Sequence, residues 1–425
     1  MEQVAPRPEH MRLLFIRLSL VIFCAELAHG MLLYAIIPEL AQHWFPKEGF
    51  RLFNLIPVRE ELAGFCLAIY TLAELIGKVP AGHVVDHHGP DRPLAAGLIL
   101  SLVTVPLMLL SREPHLMLLG AFLHGIGAAP VWPAVISSWT RGRSTRERGE
   151  IMGQILTWWM AGLGGGLVSG KLLIALSGRA EQAVTYAPLV LWMVAIGGAL
   201  WSGQALGQAN VSSEKGSDDR NALRFPPELK VMGIGLFLQN LAFGCLILPF
   251  NFLTEQKLEF TPAQVGLLFV VGGGPAVLLL GPMGKLSDRV GRRRAVVSAV
   301  LVTAPLLLAA PMLAWVPVNP WIRFLIMVPG VIVAGVAYAF LLPAWHALAL
   351  GRIPAEQRGR SLALLMSVEM AALAGGHMLG TPLYTKVSFV APFLLAGIVF
   401  ACLGVVYRLG YVLPQEPRDE PTPAP

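Results

Sequence analysis

The chain alternates long apolar runs with short polar stretches. The runs cover 14–38, 61–85, 93–111, 115–138, 151–176 and 186–206, then 229–253, 262–286, 293–315, 321–347, 360–383 and 388–411. An α-helix needs roughly 20 mostly apolar residues to cross the hydrocarbon layer, and these runs are of that order. The strands of a membrane barrel need only about 10 residues and alternate apolar with polar positions, which these runs do not. Backbone groups in lipid must pair within their own segment. The pattern therefore predicts an all-α integral membrane protein with twelve transmembrane helices, six on either side of a break.

The break, 207–227, reads GQANVSSEKGSDDRNALRFPP, a Ser/Gly/Asp-rich stretch that ends in Pro-Pro. It has linker composition. It separates an N-terminal half, 1–206, from a C-terminal half, 228–411. The Pro-rich end, 412–425, is expected to be a disordered tail.

Charge orients the bundle. Most of the 32 Lys and Arg fall in the N-terminus, every second loop and the C-terminus, above all in TRGRSTRER (140–148), the linker, KLSDRVGRRR (285–294) and GRIPAEQRGR (351–360). By the positive-inside rule these loops and both termini are expected to be cytoplasmic, and an even helix number agrees. The formal charge of +6 is thus explained by topology at an anionic lipid surface, without nucleic acid. Only 14% of the residues are charged, against about 25% in soluble domains, which excludes a large soluble helical protein. A multi-pass protein of the cell membrane, acting as a monomer, is expected. The first run is long, is interrupted by Glu26 and is followed by many more spans, so it reads as an anchor and not as a cleaved signal peptide. Cys24, Cys66, Cys245 and Cys402 lie singly in apolar runs and suggest neither a disulfide framework nor a metal site.

The two halves repeat each other. GHVVDHHG (82–89) and GKLSDRVG (284–291) share G-x-x-x-D-x-x-G. APVWPA (129–134) and LPAWHA (342–347) share P-x-W. RERGEIMGQILTWWMAGLGGG (146–166) and EQRGRSLALLMSVEMAALAGG (356–376) share Arg-Gly and M-A-x-x-x-G-G. Three matches in the same order at nearly constant spacing point to a duplicated six-helix unit, an arrangement common in transporters.

On these motifs the chain resembles the major facilitator superfamily over essentially its whole length. Gly284, Asp288, Arg289, Gly291, Arg292 and Arg293 match every defining position of the family's loop between the second and third helices of a half. The first-half copy keeps Gly82, Asp86, Gly89 and Arg92 but has His87 for Arg and Pro90–Asp91 for the basic pair. In the family this loop helps latch the cytoplasmic side shut, so the resemblance implies a gating role for both loops, weaker in the first. The glycines permit a tight turn, and Asp can cap the next helix or pair with Arg. Gly153, Gly162, Gly166 and Gly170 resemble the family's fifth-helix antiporter motif, with Leu167 where its Pro would stand. Close helix packing alone is the competing reading of that spacing. Ala121 and His124 stand where many drug/proton antiporters carry Arg and Gln.

A narrower resemblance is to the proton-coupled glycolipid flippases that supply lipoteichoic acid anchors. It rests on AELAHGM (25–31), Glu74 in YTLAELIG (70–77), APVWPAVISS (129–138) and YAFLLPAWHAL (338–348). Those proteins have Arg at the position of His29 and Asp at that of Glu74, and the resemblance implies a headgroup site at Trp132 and Trp159. Their C-terminal half is a largely apolar home for lipid tails, whereas here it holds Gln239, Asn240, His346, Glu369 and His377.

The candidate chemistry lies in the polar residues inside the spans. A charged side chain at mid-bilayer costs roughly 3 kcal/mol on insertion scales, and a protonated carboxyl much less. Glu26 can therefore load a proton on one side and release it on the other. His29, one turn on, can share that proton; a fixed pair that orients the helix is the alternative. Glu74 is either a second coupling group or the partner of Lys78 at i+4. Glu369, mid-span with no charged neighbour one turn away, is a further candidate for proton coupling, with a pairing to His346 or His377 of its own half as the competing role. Trp132 and Trp345, each two residues after a Pro, are candidate cavity residues, as are Trp159, His346 and the amides Gln239 and Asn240, with helix packing as the competing role. The cluster His83, Asp86, His87 and His88 is read as part of the loop, not as a metal site.

These features predict a secondary transporter that exports an amphipathic small molecule or lipid by proton antiport, with the proton as coupling ion and no other cofactor. The alternatives are a glycolipid flippase and, more remotely, a membrane enzyme acting on a lipid-linked substrate. No Walker A motif indicates an ATP-driven step, and no nucleophile–base set lies at an interface.

Overall fold

The computed structural model describes residues 8–43, 51–52, 56–57, 60–110, 113–140, 145–177, 181–207, 227–350 and 358–410. Nearly all of the expected linker, the basic residues 141–144 and 351–357 and the expected tail lie outside them. The described residues form fourteen α-helices: α1 (Pro8–His29), α2 (Ile37–His43), α3 (Glu61–His88), α4 (Asp91–Leu110), α5 (Pro114–Ala128), α6 (Val131–Thr140), α7 (Thr145–Ser177), α8 (Glu181–Gly207), α9 (Pro227–Phe252), α10 (Pro262–Val290), α11 (Arg292–Ala309), α12 (Pro320–Leu350), α13 (Arg358–Pro382) and α14 (Ala391–Leu409). A two-residue antiparallel pair, Arg51–Leu52 with Ile56–Pro57, is the one strand pairing among the described residues.

Local sequence accounts for several boundaries. Thr261 and Gln264 form a reciprocal capping box ahead of Pro262, which starts α10. α3 and α10 end at the second glycine of the repeated loop motif, Gly89 (φ 81°) and Gly291 (φ 97°), a backbone region that favours glycine. Pro130 separates α5 from α6, whereas α12 runs through Pro343 unbroken.

Among the described residues, ten helices are long and apolar enough to cross a membrane. The expected spans 186–206 and 360–383 are not among the ten. In α8 the apolar helix Tyr186–Trp201 is shorter, and α13 is diluted by Ser367, Glu369, His377 and several small residues. Large apolar side chains such as Val79, Leu176 and Leu278 are more than three-quarters exposed, as lipid-facing positions would be.

The packing repeats along with the sequence. In the N-terminal half α1 packs on α7 and α8, α3 on α5, and α4 on α5 and α8; in the C-terminal half α9 packs on α13 and α14, α10 on α12, and α11 on α12 and α14. The halves meet along two further seams, α3 with α13 and α7 with α10. These seams exchange under the same repeat, so the two halves are related by a pseudo-twofold axis.

Glycines make the α1–α7 and α9–α13 crossings close. A Cβ on Gly30 would strike the carbonyl of Leu163, and one on Gly244 that of Leu373; likewise Gly166 faces Leu27 O and Gly376 faces Leu241 O. Such contacts let backbones approach within lipid.

The halves are tied together at the end of the bundle opposite Gly291. There Lys171 of α7 pairs with Glu255, just past α9. Asn251 Nδ2 donates to the Tyr34 carbonyl (3.3 Å), Gln256 Nε2 to Gln42 Oε1 (3.0 Å) and Thr385 Oγ1 to Glu61 Oε1 (2.6 Å).

Candidate functional site

Glu26 lies on α1 just before Gly30, where the helix widens into the π-helical segment Gly30–Ile36. π-turns recur at functional sites because they re-aim neighbouring side chains. Glycines on both sides of the crossing, Gly30 and Gly162, set α7 against α1 at this level, and a Cβ on Gly162 would meet Glu26 Cβ at 2.9 Å. The Trp159 side chain of α7 and the charged groups Glu74 and Lys78 of α3 act on the Glu26 carboxyl.

Lys78 Nζ lies 2.8 Å from Glu74 Oε1, so the i,i+4 pair anticipated from the spacing forms. The same ammonium is 3.0 Å from Met370 Sδ on α13 and 6.0 Å from the Trp132 ring centroid. Trp132 and Trp159 meet edge to face, 5.9 Å apart, and both are partly exposed. One carboxylate, Glu74, thus pairs with the ammonium, and a second, Glu26, lies within its electrostatic reach beside two indoles. The trio is neutral only when it also holds one proton.

His29 turns away from this group. Its ring packs on Tyr70 (4.3 Å), with Tyr34 at 5.9 Å and His124 at 6.1 Å. His124 Nδ1 lies 3.3 Å from the Ser101 carbonyl and 3.1 Å from Thr104 Oγ1, and its ring meets Trp192 edge-on. Helical spacing puts His29 and Glu26 on one face, but α7 draws Glu26 aside while α3 and α5 enclose His29. Glu74 also acts electrostatically on Tyr70, which links the two clusters.

In the C-terminal half, His346 Nε2 lies 3.4 Å from Glu369 Oε1. His377, the other candidate partner, is buried with Nδ1 at the Gly244 carbonyl (3.2 Å). Asn240 Nδ2 donates to the Leu236 carbonyl of its own helix, and Gln239 Oε1 is buried without a hydrogen-bond partner among the described residues. Trp345 is 2% exposed and packs in the core of its half, so its surroundings differ from those of Trp132.

The loop residues bond within their own half. Arg292 Nε pairs with Asp288 Oδ1 at 2.7 Å, and Arg293 donates to the carbonyls of Tyr407 and Arg408 at the end of α14. Arg289 and Arg92 are exposed, Gly284 lies 3.5 Å from Pro343 by its would-be Cβ, and Gly82 has open space around it. The His83 and His87 rings lie 4.0 Å apart, tilted by 38°. The side chain of Asp86 and the packing of Gly153 lie outside the described residues. Gly170 faces Met31 and Ala35 in the same α1–α7 crossing as Gly166.

Two groups escaped the sequence reading: the Lys171–Glu255 pair, and the cluster of Tyr70, His124 and Trp192 around His29. A further repeat would have shown the crossing itself. ELAHG (26–30) and NLAFG (240–244) share Leu, Ala and Gly, and they occupy equivalent places on α1 and α9.

The family model described as Major Facilitator Superfamily matches residues 18–228 and 232–425. The chain belongs to the Major Facilitator Superfamily. This transporter is 20% identical over 409 residues to a Staphylococcus epidermidis protein named proton-coupled antiporter flippase LtaA, covering 94% of both chains. It is 22% identical over 418 residues to the Staphylococcus aureus protein of that name, covering 95% of this chain and 96% of the other. Among solved structures it resembles the nucleoside transporter NupG, with a TM-score of 0.70, 14% identity and coverage of 94% and 98%. It also resembles the human organic anion transporter MFSD10, with a TM-score of 0.64, 18% identity and coverage of 95% and 100%. At these identities the structural likeness speaks for the fold. The transporter is a multi-pass protein of the cell membrane.

Proposed function

We propose that this transporter is a proton-coupled antiporter that exports an amphipathic substrate by alternating access, with twelve spans and both termini in the cytoplasm. α8 and α13 supply the two spans that length and composition alone leave out, because each occupies a symmetric place in the packing. The observation that carries the reading is the trio Glu26, Glu74 and Lys78 beside Trp132 and Trp159. One ammonium balances one carboxylate, so the other carboxylate needs a proton or a cationic group of the substrate. Competition between the two for the same carboxylate is the simplest form of antiport. The relatives named proton-coupled antiporter flippase point the same way.

The polar inventory also narrows the substrate. Three carboxylates, Glu26, Glu74 and Glu369, face one lysine and one histidine, which disfavours an anionic headgroup. Indoles favour a cationic group or the apolar face of a sugar. A cationic amphiphile is the first reading. A glycolipid is the second, supported by the paired indoles and by the flippase relatives.

The test is reconstitution in vesicles with an inside-acidic pH gradient, following internal pH during addition of cationic amphiphiles or glycolipids. Substrate-triggered proton release is expected in the wild type and absent in Glu26→Gln. Equal release in both proteins would show that Glu26 is structural.

A further inference from the structure

The α9–α13 crossing repeats the α1–α7 crossing at Gly30/Gly244, Gly166/Gly376 and Gly170/Gly380, yet its polar residues are exchanged. Glu26 on α1 corresponds to Asn240 on α9, and Trp159 on α7 corresponds to Glu369 on α13. Each crossing therefore holds one carboxylate, on opposite members of the helix pair. Pro133, beside Trp132, corresponds to His346. Trp159 of the first half is thus replaced by an acid in the second, and the proline beside Trp132 by a histidine.

Hydrogen-bond geometry then counts protons. His346 Nδ1 is 2.9 Å from the Leu342 carbonyl, which can only accept, so Nδ1 carries hydrogen. The other ring nitrogen faces Glu369 Oε1 at 3.4 Å. If His346 were neutral and Glu369 ionised, two lone pairs would face each other. One proton between them resolves this, held either as imidazolium and carboxylate or as imidazole and carboxylic acid.

Among the described residues no other charge stands in for that proton. Tyr338 of α12 faces Glu369, and α9 offers the uncharged Gln239 and Asn240. From α3, Lys78 reaches Met370 but is paired with Glu74. On α11, Arg292 donates to the Ala347 carbonyl at 3.5 Å and is paired with Asp288; Lys285, Arg289, Arg293 and Arg294 lie at the same end of α10 and α11.

We propose that the His346–Glu369 pair is a second proton-binding site, the counterpart in the C-terminal half of Glu26 in the N-terminal half, so that each half carries its own exchangeable proton. The use of this proton in transport rests on the antiport reading above; its presence does not.

The test is ¹⁵N-histidine magnetic resonance of the full-length protein in liposomes across a pH series, with His346→Gln assigning the signal. In the wild type at neutral pH, Nε2 of His346 should bear or share a proton, and should lose it in a single step as pH rises. In Glu369→Gln that nitrogen should be unprotonated throughout, and in Glu369→Asp the proton should be retained. Glu26→Gln should leave the signal unchanged, which separates this site from the first. A wild-type Nε2 already unprotonated at neutral pH, or one that titrates identically in Glu369→Gln, overturns the proposal, whether or not proton antiport is found.

Discussion

Lys171 is a fully buried lysine whose partner lies in the other half of the molecule. Its ammonium meets Glu255, just past the end of α9, and both groups have little access to water (side-chain exposures 0% and 12%). Replacing Lys171 by Met removes the ammonium and leaves the carboxylate facing an apolar surface. Breaking a buried pair from one side costs about 3–5 kcal/mol. Glu255 keeps some solvent contact, so about 2 kcal/mol is the reasonable share, a roughly 30-fold shift in a two-state equilibrium. The cost falls on the closed arrangement, because opening this end returns Glu255 to water. Spin labels at Leu176 and Val387, exposed residues near this end in the two halves, would report the separation by pulsed dipolar spectroscopy in a Cys402→Ala background. The wild type should give mainly one short distance, and Lys171→Met a substantial longer component. Lys171→Met combined with Glu255→Leu should restore much of the short distance, because no unpaired charge remains. A double variant as open as the single, or a single variant indistinguishable from wild type, would refute the idea that this pair holds the end shut.

Other expectations follow from the crossings and the indoles. Gly166→Val and Gly376→Val should each lower thermal stability in detergent by about 1–3 kcal/mol, since the added atoms meet backbone carbonyls and not yielding side chains. Gly82→Ala, with open space around it, should leave the melting temperature within error. Trp132→Ala should weaken a cationic substrate by about 0.5–2 kcal/mol, read as a roughly 2- to 30-fold rise in apparent KM. An unchanged KM would remove Trp132 from the substrate site.

Much of the architecture is legible in the chain because lipid imposes a single demand, long apolar helices, and the repeated motifs mark the duplication. The expected span 229–253 falls within α9 and its terminal π-turn, and Glu74–Lys78 follows from i,i+4 spacing. Legibility ends where a side chain chooses among neighbours on other helices. Spacing places His29 beside Glu26, but α7 brings Trp159 to Glu26 and α3 brings Tyr70 to His29. Both His346 and His377 are available to Glu369 in sequence; α9 decides, because the Gly244 carbonyl engages His377. Lys171 and Glu255 lie at the ends of two different spans, and nothing local to either announces the other.

The glycine crossings have a mechanical consequence. α7 runs from Thr145 to Ser177, 33 residues, and packs backbone against backbone on α1 while also meeting α10 of the other half. At 1.5 Å per residue it is a rod about 50 Å long, so a tilt of about 5° moves its far end by roughly 4 Å. Stiffness at the crossing thus turns the loss of a single ion pair beside Lys171 into a displacement, at the opposite face of the membrane, larger than a hydrogen bond can span.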